Sequence, residues 1–161
     1  MKESIGGTQI FIIVVTLILL FSGIMALTIN HSNAFAVKDQ IVSTIEKHGG
    51  LDITLAVDDN EVLQEIVEAI KYNAYRQTGS CEQFERDGLQ DYEVIGYQRN
   101  GEEVSGNNKA SFCIIKNKTA ANVGTAPEYY YQVVVFYTLD LPVVNEIFNF
   151  KVIGETKVLY K

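Results

Sequence analysis

Residues Ile10 to Ile29, IFIIVVTLILLFSGIMALTI, carry no charge, and only Thr16, Ser22, Gly23 and Thr28 interrupt the apolar residues. At about 1.5 Å per residue, a helix over this run reaches about 30 Å, the thickness of a bilayer's hydrocarbon core. The run therefore predicts a transmembrane helix. The charge-free region is wider, from Ser4 to Val37, and the pattern then turns amphipathic with no helix breaker: Phe35, Ile41, Val42 and Ile45 recur at helical spacing. One continuous helix is predicted, starting near Thr8, leaving the membrane around Asn30 and ending at Gly49-Gly50, where glycine can take the left-handed conformation that closes a helix. The stripe beyond the membrane gains nothing from facing water. It is expected to pack on a C-terminal sheet, with Val134 and Phe136 as the inner face of that sheet.

The rest of the chain reads as helix, hairpin and strands. Leu51 to Val57 is apolar and β-branched, a short strand or a connection packed on the sheet. Asp58-Asp59-Asn60 supplies helix caps, with Glu61 in the capping-box position after Asp58. Val62, Leu63, Ile66, Val67 and Ile70 then form an apolar stripe while Glu65, Glu68 and Lys71 face water, and Gly79 is the expected end of this second helix. From Asp91 the period becomes two: Tyr92 to Arg99 and Ser111 to Asn117 are strands around a polar excursion with Asn-Gly and Gly-Asn turn signals. Residues 120 to 127 are a small-residue loop.

Glu128 to Leu139, EYYYQVVVFYTL, is the strongest strand, apolar or aromatic on both faces, which suits the middle of a covered sheet. A short segment opens at Pro142 and reads as a single helical turn. Phe150 to Tyr160 is the last strand, antiparallel to its predecessor and kinked or bulged at Gly154. The fold class is α+β: a long membrane helix with an amphipathic extension, a second helix, and an antiparallel sheet of about four strands. Three regions follow, a cytoplasmic head (1–9), the span (10–29) and an extracytoplasmic domain (30–161) that includes the helix extension 30–48.

Composition sharpens this picture. The chain of 161 residues has no Trp but nine Tyr and eight Phe. With 20 Asp and Glu against 13 Lys and Arg, its net charge is −7, and no Lys/Arg run is present, which excludes nucleic acid as an expected partner and argues against a domain lying flat on anionic lipid. The short head, MKESIGG, is slightly cationic, which places it inside and the remainder outside. Ala34-Phe35-Ala36 is a competing signal-peptidase pattern, against which stand the length of the apolar run and its single preceding Lys. Cys81 and Cys113 are a candidate disulfide in an oxidising compartment, worth about 3 to 4 kcal/mol in the chain-entropy account; two buried free thiols are the alternative. Asn117-Lys118-Thr119 is a glycosylation sequon that matters only in a eukaryotic secretory pathway.

Neither a nucleophile beside a base, nor a metal cluster, nor a phosphate loop is legible, so no enzyme, metal or cofactor is expected. His31 stands at the membrane exit and His48 in the last turn of the long helix. Tyr129, Tyr131 and Tyr137 share one face of the strongest strand. They form a candidate interaction face for a sugar or peptide, which would make the chain a ligand-binding or adhesion domain on an anchor; ordinary sheet packing is the other reading.

The order of parts resembles the type IV pilin superfamily, and more closely the TadE-like minor pilins of tight-adherence (Tad/Flp) pilus loci. A polar head ending in Gly, an uncharged helix, small and apolar positions at Ala34, Phe35, Ala36 and Val37, and a C-terminal strand, proline-containing turn and final strand (YYYQVVVFYTLDLPVVNEIFNFKVIGETKVLY) carry the likeness. The resemblance implies a membrane-anchored structural part of a pilus or secretion apparatus, with other pilin-like subunits as partners. It also implies a candidate prepilin cleavage point after Gly7. One position departs from the family: the fifth residue after Gly7 is Ile12 rather than Glu, and no acidic residue occurs between Glu3 and Asp39. A membrane-retained, pseudopilin-like part is expected rather than a major pilin.

Overall fold

The structure is a computed structural model that describes residues 2–53, 55, 57–72, 78–84, 92–104, 109–119, 128–138 and 149–160. Helix α1 (Lys2–Lys47) is unbroken over 46 residues, about 70 Å at helical rise, so span and extension are one rod. It closes as predicted. The Gly50 N–H donates to the Ile45 carbonyl (2.9 Å) and the Gly49 N–H to that of Glu46 (3.2 Å), while Gly49 sits at φ 70°, the double bond and left-handed residue of a Schellman end.

Of the next positions, 51–53 and 55 carry no strand and fit a connection, with Leu51 and Ile53 buried, and a 3₁₀ turn, Val57–Asp59, leads into α2 (Glu61–Tyr72). The cap of α2 is Asn60 rather than Asp58. Its Oδ1 accepts from the Leu63 N–H (3.2 Å) and its Nδ2 donates to the Asp52 carbonyl (2.7 Å), so this buried side chain holds the connection and the helix together. The apolar stripe is as read, with Leu63, Ile66, Val67 and Ile70 buried. Gly79, the expected end, is separated from Tyr72, the last described residue of α2, by 73–77, which lie outside the described residues. Gly79 forms an antiparallel bridge with Ala110 (2.8 Å in both directions), and a Cβ there would meet the Phe136 ring at 2.3 Å.

The sheet runs β2 (Glu103–Val104), β1 (Tyr92–Tyr97), β3 (Phe112–Lys118), β4 (Glu128–Thr138), β5 (Asn149–Glu155), all antiparallel, with β6 (Leu159–Tyr160) pairing the start of β4. Four strands are long and two are two-residue additions. β4 is an interior strand, paired with β3 on one side and with β5 and β6 on the other, as its two apolar faces require. Gly154 is in unbroken register opposite Val133, so the expected bulge is absent there. Glycine at that point serves packing: a Cβ would sit 2.6 Å from Lys38 Cδ, so its absence lets the Lys38 stem of α1 lie against β5. The interruption falls later, where Thr156, Lys157 and Val158 stand opposite only Tyr130 and Tyr131, the two-against-three count of a bulge. There the Tyr131 N–H donates to Thr156 Oγ1 (3.0 Å) and the Thr156 N–H to the Tyr131 carbonyl (2.9 Å), so neither β4 group is left unpaired.

Two cores result. Ala34, Val37, Ile41 and Ile45 of α1 and the stripe of α2 pack on the face formed by Tyr97, Phe112, Ile114, Tyr131, Val133, Val135, Tyr137 and Val152. Val134 and Phe136 are therefore on the other face, and the assignment of these two to the α1 side is corrected: they pack with Cys81, Val104, Ala110, Cys113 and Ile115. Ile41 and Ile45 lie in the α1 interface as expected, Val42 is partly buried against it, and Phe35 remains outward at 39% exposure. The turn opening at Pro142 and the loop at 120–127 lie outside the described residues.

Candidate functional site

The first functional element is the bare part of α1. Ile10 to Val15, Leu17 to Phe21, Ile24, Met25 and Ile29 present large apolar side chains to the surroundings, and the helix is long and apolar enough to cross a membrane. The hydroxyls that interrupt this surface are satisfied within the helix: Thr16 and Thr28 donate to the carbonyls of Ile12 and Ile24 (2.8 and 2.9 Å), Ser22 to that of Leu19 (2.9 Å). A bilayer thus meets little unsatisfied polarity on the helix, the condition for a lipid-facing segment.

Where α1 leaves that segment, the sheet arrives. β4 runs back along α1, and its near end is a small aromatic cluster. His31 lies 4.7 Å from Phe35 and 5.4 Å from Tyr137 between ring centroids, and Tyr137 stacks on Phe150 of β5 at 5.1 Å. Lys38 Nζ sits 4.6 Å from the centre of the Phe35 ring and pairs with Asp39 (2.6 Å). Leu27, inside the apolar run itself, already packs against the domain core.

The far end of α1 is clamped to α2. Glu65 accepts from Lys47 Nζ (2.9 and 3.2 Å) and meets His48 Nε2 at 2.8 Å. Hydrogen bonds from Lys47 and then His48 hold the Glu65 carboxyl below its ordinary value. Because the folded-state value is depressed, the stabilisation is present above the ordinary glutamate range and is lost as pH falls through the lowered value. Glu65→Gln should accordingly lower the urea midpoint near neutral pH by a small amount, and the difference from wild type should vanish in acid; a difference that persists in acid would mean that the carboxylate charge is not what matters.

Beside this clamp is a cavity of about 260 Å³ lined by His48, Leu55, Glu61, Val62, Tyr129 and Leu159, among others. Two of the three candidate tyrosines, Tyr129 and Tyr131, line it. Tyr131 is buried, its hydroxyl donating to the Leu51 carbonyl (2.8 Å), and burial pushes its phenol above the usual value. Tyr137 is covered at the opposite end of the strand. Only Tyr129 is partly open, with Lys116 Nζ 5.0 Å from its ring centre. Tyr129, Tyr131 and Tyr137 do share a face, and the packing of α1 on it buries Tyr131 and Tyr137 and leaves Tyr129 partly open. The periodicity of β4 alone carried no sign of this, since either face was apolar enough to be covered.

Sequence reasoning also missed Tyr97. It stacks on Phe112 (5.4 Å) opposite Glu103, and its hydroxyl is buried with no hydrogen-bond partner among the described residues; burial, with Glu103 and Glu93 adding to it, raises the phenol well above its usual value. On the other sheet face, Cys81 and Cys113 form a disulfide. It fastens the segment 78–84 over Val134 and Phe136, with the Phe84 carbonyl accepting from the Tyr92 hydroxyl and Lys151 Nζ 4.5 Å from the Phe84 ring centre. Among the described residues no three His, Cys, Asp or Glu side chains are placed to hold a metal ion. No family model matches the chain, and neither a curated protein nor a solved structure matches it.

Proposed function

We propose that this chain is a single-pass, membrane-anchored minor pilin or pseudopilin of the TadE-like kind, a structural component of a Tad-type pilus or related secretion apparatus. The observation that carries the reading is the division of labour along α1: one rod, bare and apolar in its first half and the packing partner of an antiparallel sheet in its second. A helix so divided couples lateral contacts in the membrane rigidly to the domain outside it. The Cys81–Cys113 disulfide supports an extracytoplasmic domain and a cytoplasmic head, because such bonds persist in oxidising compartments. Retention of the helix is supported by Ala34, which is fully buried in the core that the alternative signal-peptidase site would cut into.

The test is cross-linking in the native membrane. Single Cys substitutions at each exposed position of Ile10 to Val15 and Leu17 to Phe21, which go right round the apolar half of α1, should give disulfide-linked products with a second copy, or with another apolar-helix subunit that itself carries a Cys in its helix, in a pattern that follows one helix face. Products absent at every position, from a chain shown to be intact and membrane-bound, would overturn the structural role. Mass measurement of that chain also reads processing: loss of the first seven residues places cleavage after Gly7, whereas a start at Val37 removes the anchor.

A further inference from the structure

The aromatic cluster at the exit of α1 has a chemistry that the anchor does not need. A helix tethering a free domain would leave the membrane through polar residues, with the domain beginning some distance on. Here Leu27, two residues before the end of the apolar run, is already in contact with the domain core, and the rings of His31, Phe35, Tyr137 and Phe150 gather within the next turns. His31 lies about 3 Å beyond Ile29 along the helix axis, at 1.5 Å per residue, within the about 5 to 7 Å that the headgroup layer adds outside the hydrocarbon core; the backbone of Phe35 lies about 9 Å beyond, and its ring leans back toward the layer because helical side chains point to the N-terminus. Two of the four rings come from the sheet, so this end of the sheet lies at the same level as the helix exit. Tyr137 is of the amphipathic kind that bilayer interfaces favour, though its neighbours cover it, and the rings left open to meet headgroups are His31 and Phe35 on α1 and the partly exposed Phe150 on β5. Along α1 the first ionised side chains after the apolar run are Lys38 and Asp39, which pair with each other.

We propose that this end of the domain, with Tyr137 and Phe150 on the sheet and His31 and Phe35 on α1, is seated in the headgroup layer of the bilayer that α1 crosses, so that the lipid surface is a second partner of the domain. The proposal rests on the anchoring part of the reading above and adds that the sheet itself touches lipid. The contact fixes the tilt of the rod as well as its depth.

The chain contains no Trp, so single-Trp variants report without background. Full-length Phe21→Trp, Phe35→Trp, Phe150→Trp and Val158→Trp are reconstituted in phosphatidylcholine vesicles whose acyl chains are brominated either near the carbonyl or near the terminal methyl. Val158 is exposed and adjoins the Lys157 N–H that donates to Glu46 Oε1 (2.8 Å) at the far end of α1, so it marks the distal side. Phe21→Trp should lose most of its emission to bromines on the chains. Phe35→Trp and Phe150→Trp should be quenched only by bromines near the carbonyl, and Val158→Trp by neither. Phe150 decides, since Phe35 belongs to the helix. Should Phe150→Trp lose protease resistance, Lys151→Trp, at an exposed neighbouring position, repeats the measurement without entering the core. If the sheet variant is as unquenched as Val158→Trp while Phe21→Trp is quenched, the domain stands clear of lipid and the proposal is overturned with the anchor intact. If Phe21→Trp itself is unquenched, the anchor is wrong and the proposal falls with it.

Discussion

Ile41→Asp should unfold the domain while leaving insertion of residues 10 to 29 unchanged. Ile41 is 1% exposed, midway along the part of α1 that packs on β4, in one cluster with Val37, Ile45, Val133 and Val135. Substitution removes a buried side chain worth about 1.5 to 3 kcal/mol and places in the gap a carboxylate with no basic residue among the buried ones around it. The sum exceeds about 4 kcal/mol, a large part of the roughly 5 to 15 kcal/mol by which a domain is ordinarily stable. The apolar half of α1 lies outside this core, so membrane fractionation should be as in wild type. Limited proteolysis of the membrane-bound chain is the readout: rapid loss of residues 50 to 161 with a protected α1 fragment is expected. Resistance equal to wild type would show that the extension is a linker and that the sheet folds without it.

This expectation about Ile41 could be read from the sequence, and its partner on the sheet could not. Apolar residues at helical spacing settle which side of α1 is buried, because the opposite side carries Gln40, Ser43 and Lys47. The same logic gives the α2 stripe, and the Gly49-Gly50 stop follows from local conformation alone. On β4 the period-two pattern has no polar face to rule out. Tyr131, Val133, Val135 and Tyr137 compete evenly with Val134 and Phe136, and the choice is made by long-range geometry. Cys113 pairs opposite Val134, so the disulfide occupies that side, while the close approach of Lys38 to Gly154 brings α1 onto the other. Neither the strand register nor the approach of two distant backbones is written in a local window. For the same reason the bulge expected at a glycine occurs instead at Thr156, whose hydroxyl supplies the missing acceptor. Of the candidate sites, the disulfide and the helix surface were legible. The burial of Tyr131 and Tyr137 beneath α1 was not, nor was the aromatic cluster at the end of the bare half of α1, which joins residues more than a hundred positions apart.

Loss of the disulfide carries the second large expected effect, through the core on the Val134–Phe136 side of the sheet. Residues 78–84 are attached across the Val134–Phe136 face by, among others, the reciprocal Gly79–Ala110 bonds, the Tyr92–Phe84 bond, the packing of Phe84, the contacts of Lys151 with Gln83 and Phe84, and the Cys81–Cys113 link. The crosslink joins positions 32 apart in sequence, and closing a loop of that size limits the unfolded chain by about 3 to 4 kcal/mol in the entropic account. Cys113 is fully buried and Cys81 nearly so, and a Cβ added at Gly96 would lie 2.8 Å from Cys81 Sγ, so the sulfur fills its site closely. A Cys81→Ala/Cys113→Ala chain, which avoids unpaired thiols, should lose about 2 to 5 kcal/mol, read as a lower urea midpoint of the purified chain in detergent. Hydrogen exchange separates the two sources of that loss. If the crosslink also holds the cover in place, amides of 78–84, and then those of β1 and β3, should lose protection first, with Val37 to Ile45 of α1 keeping theirs until global unfolding. An unchanged midpoint with 78–84 still protected would show that Phe84 and the Gly79 bridge hold the segment by themselves.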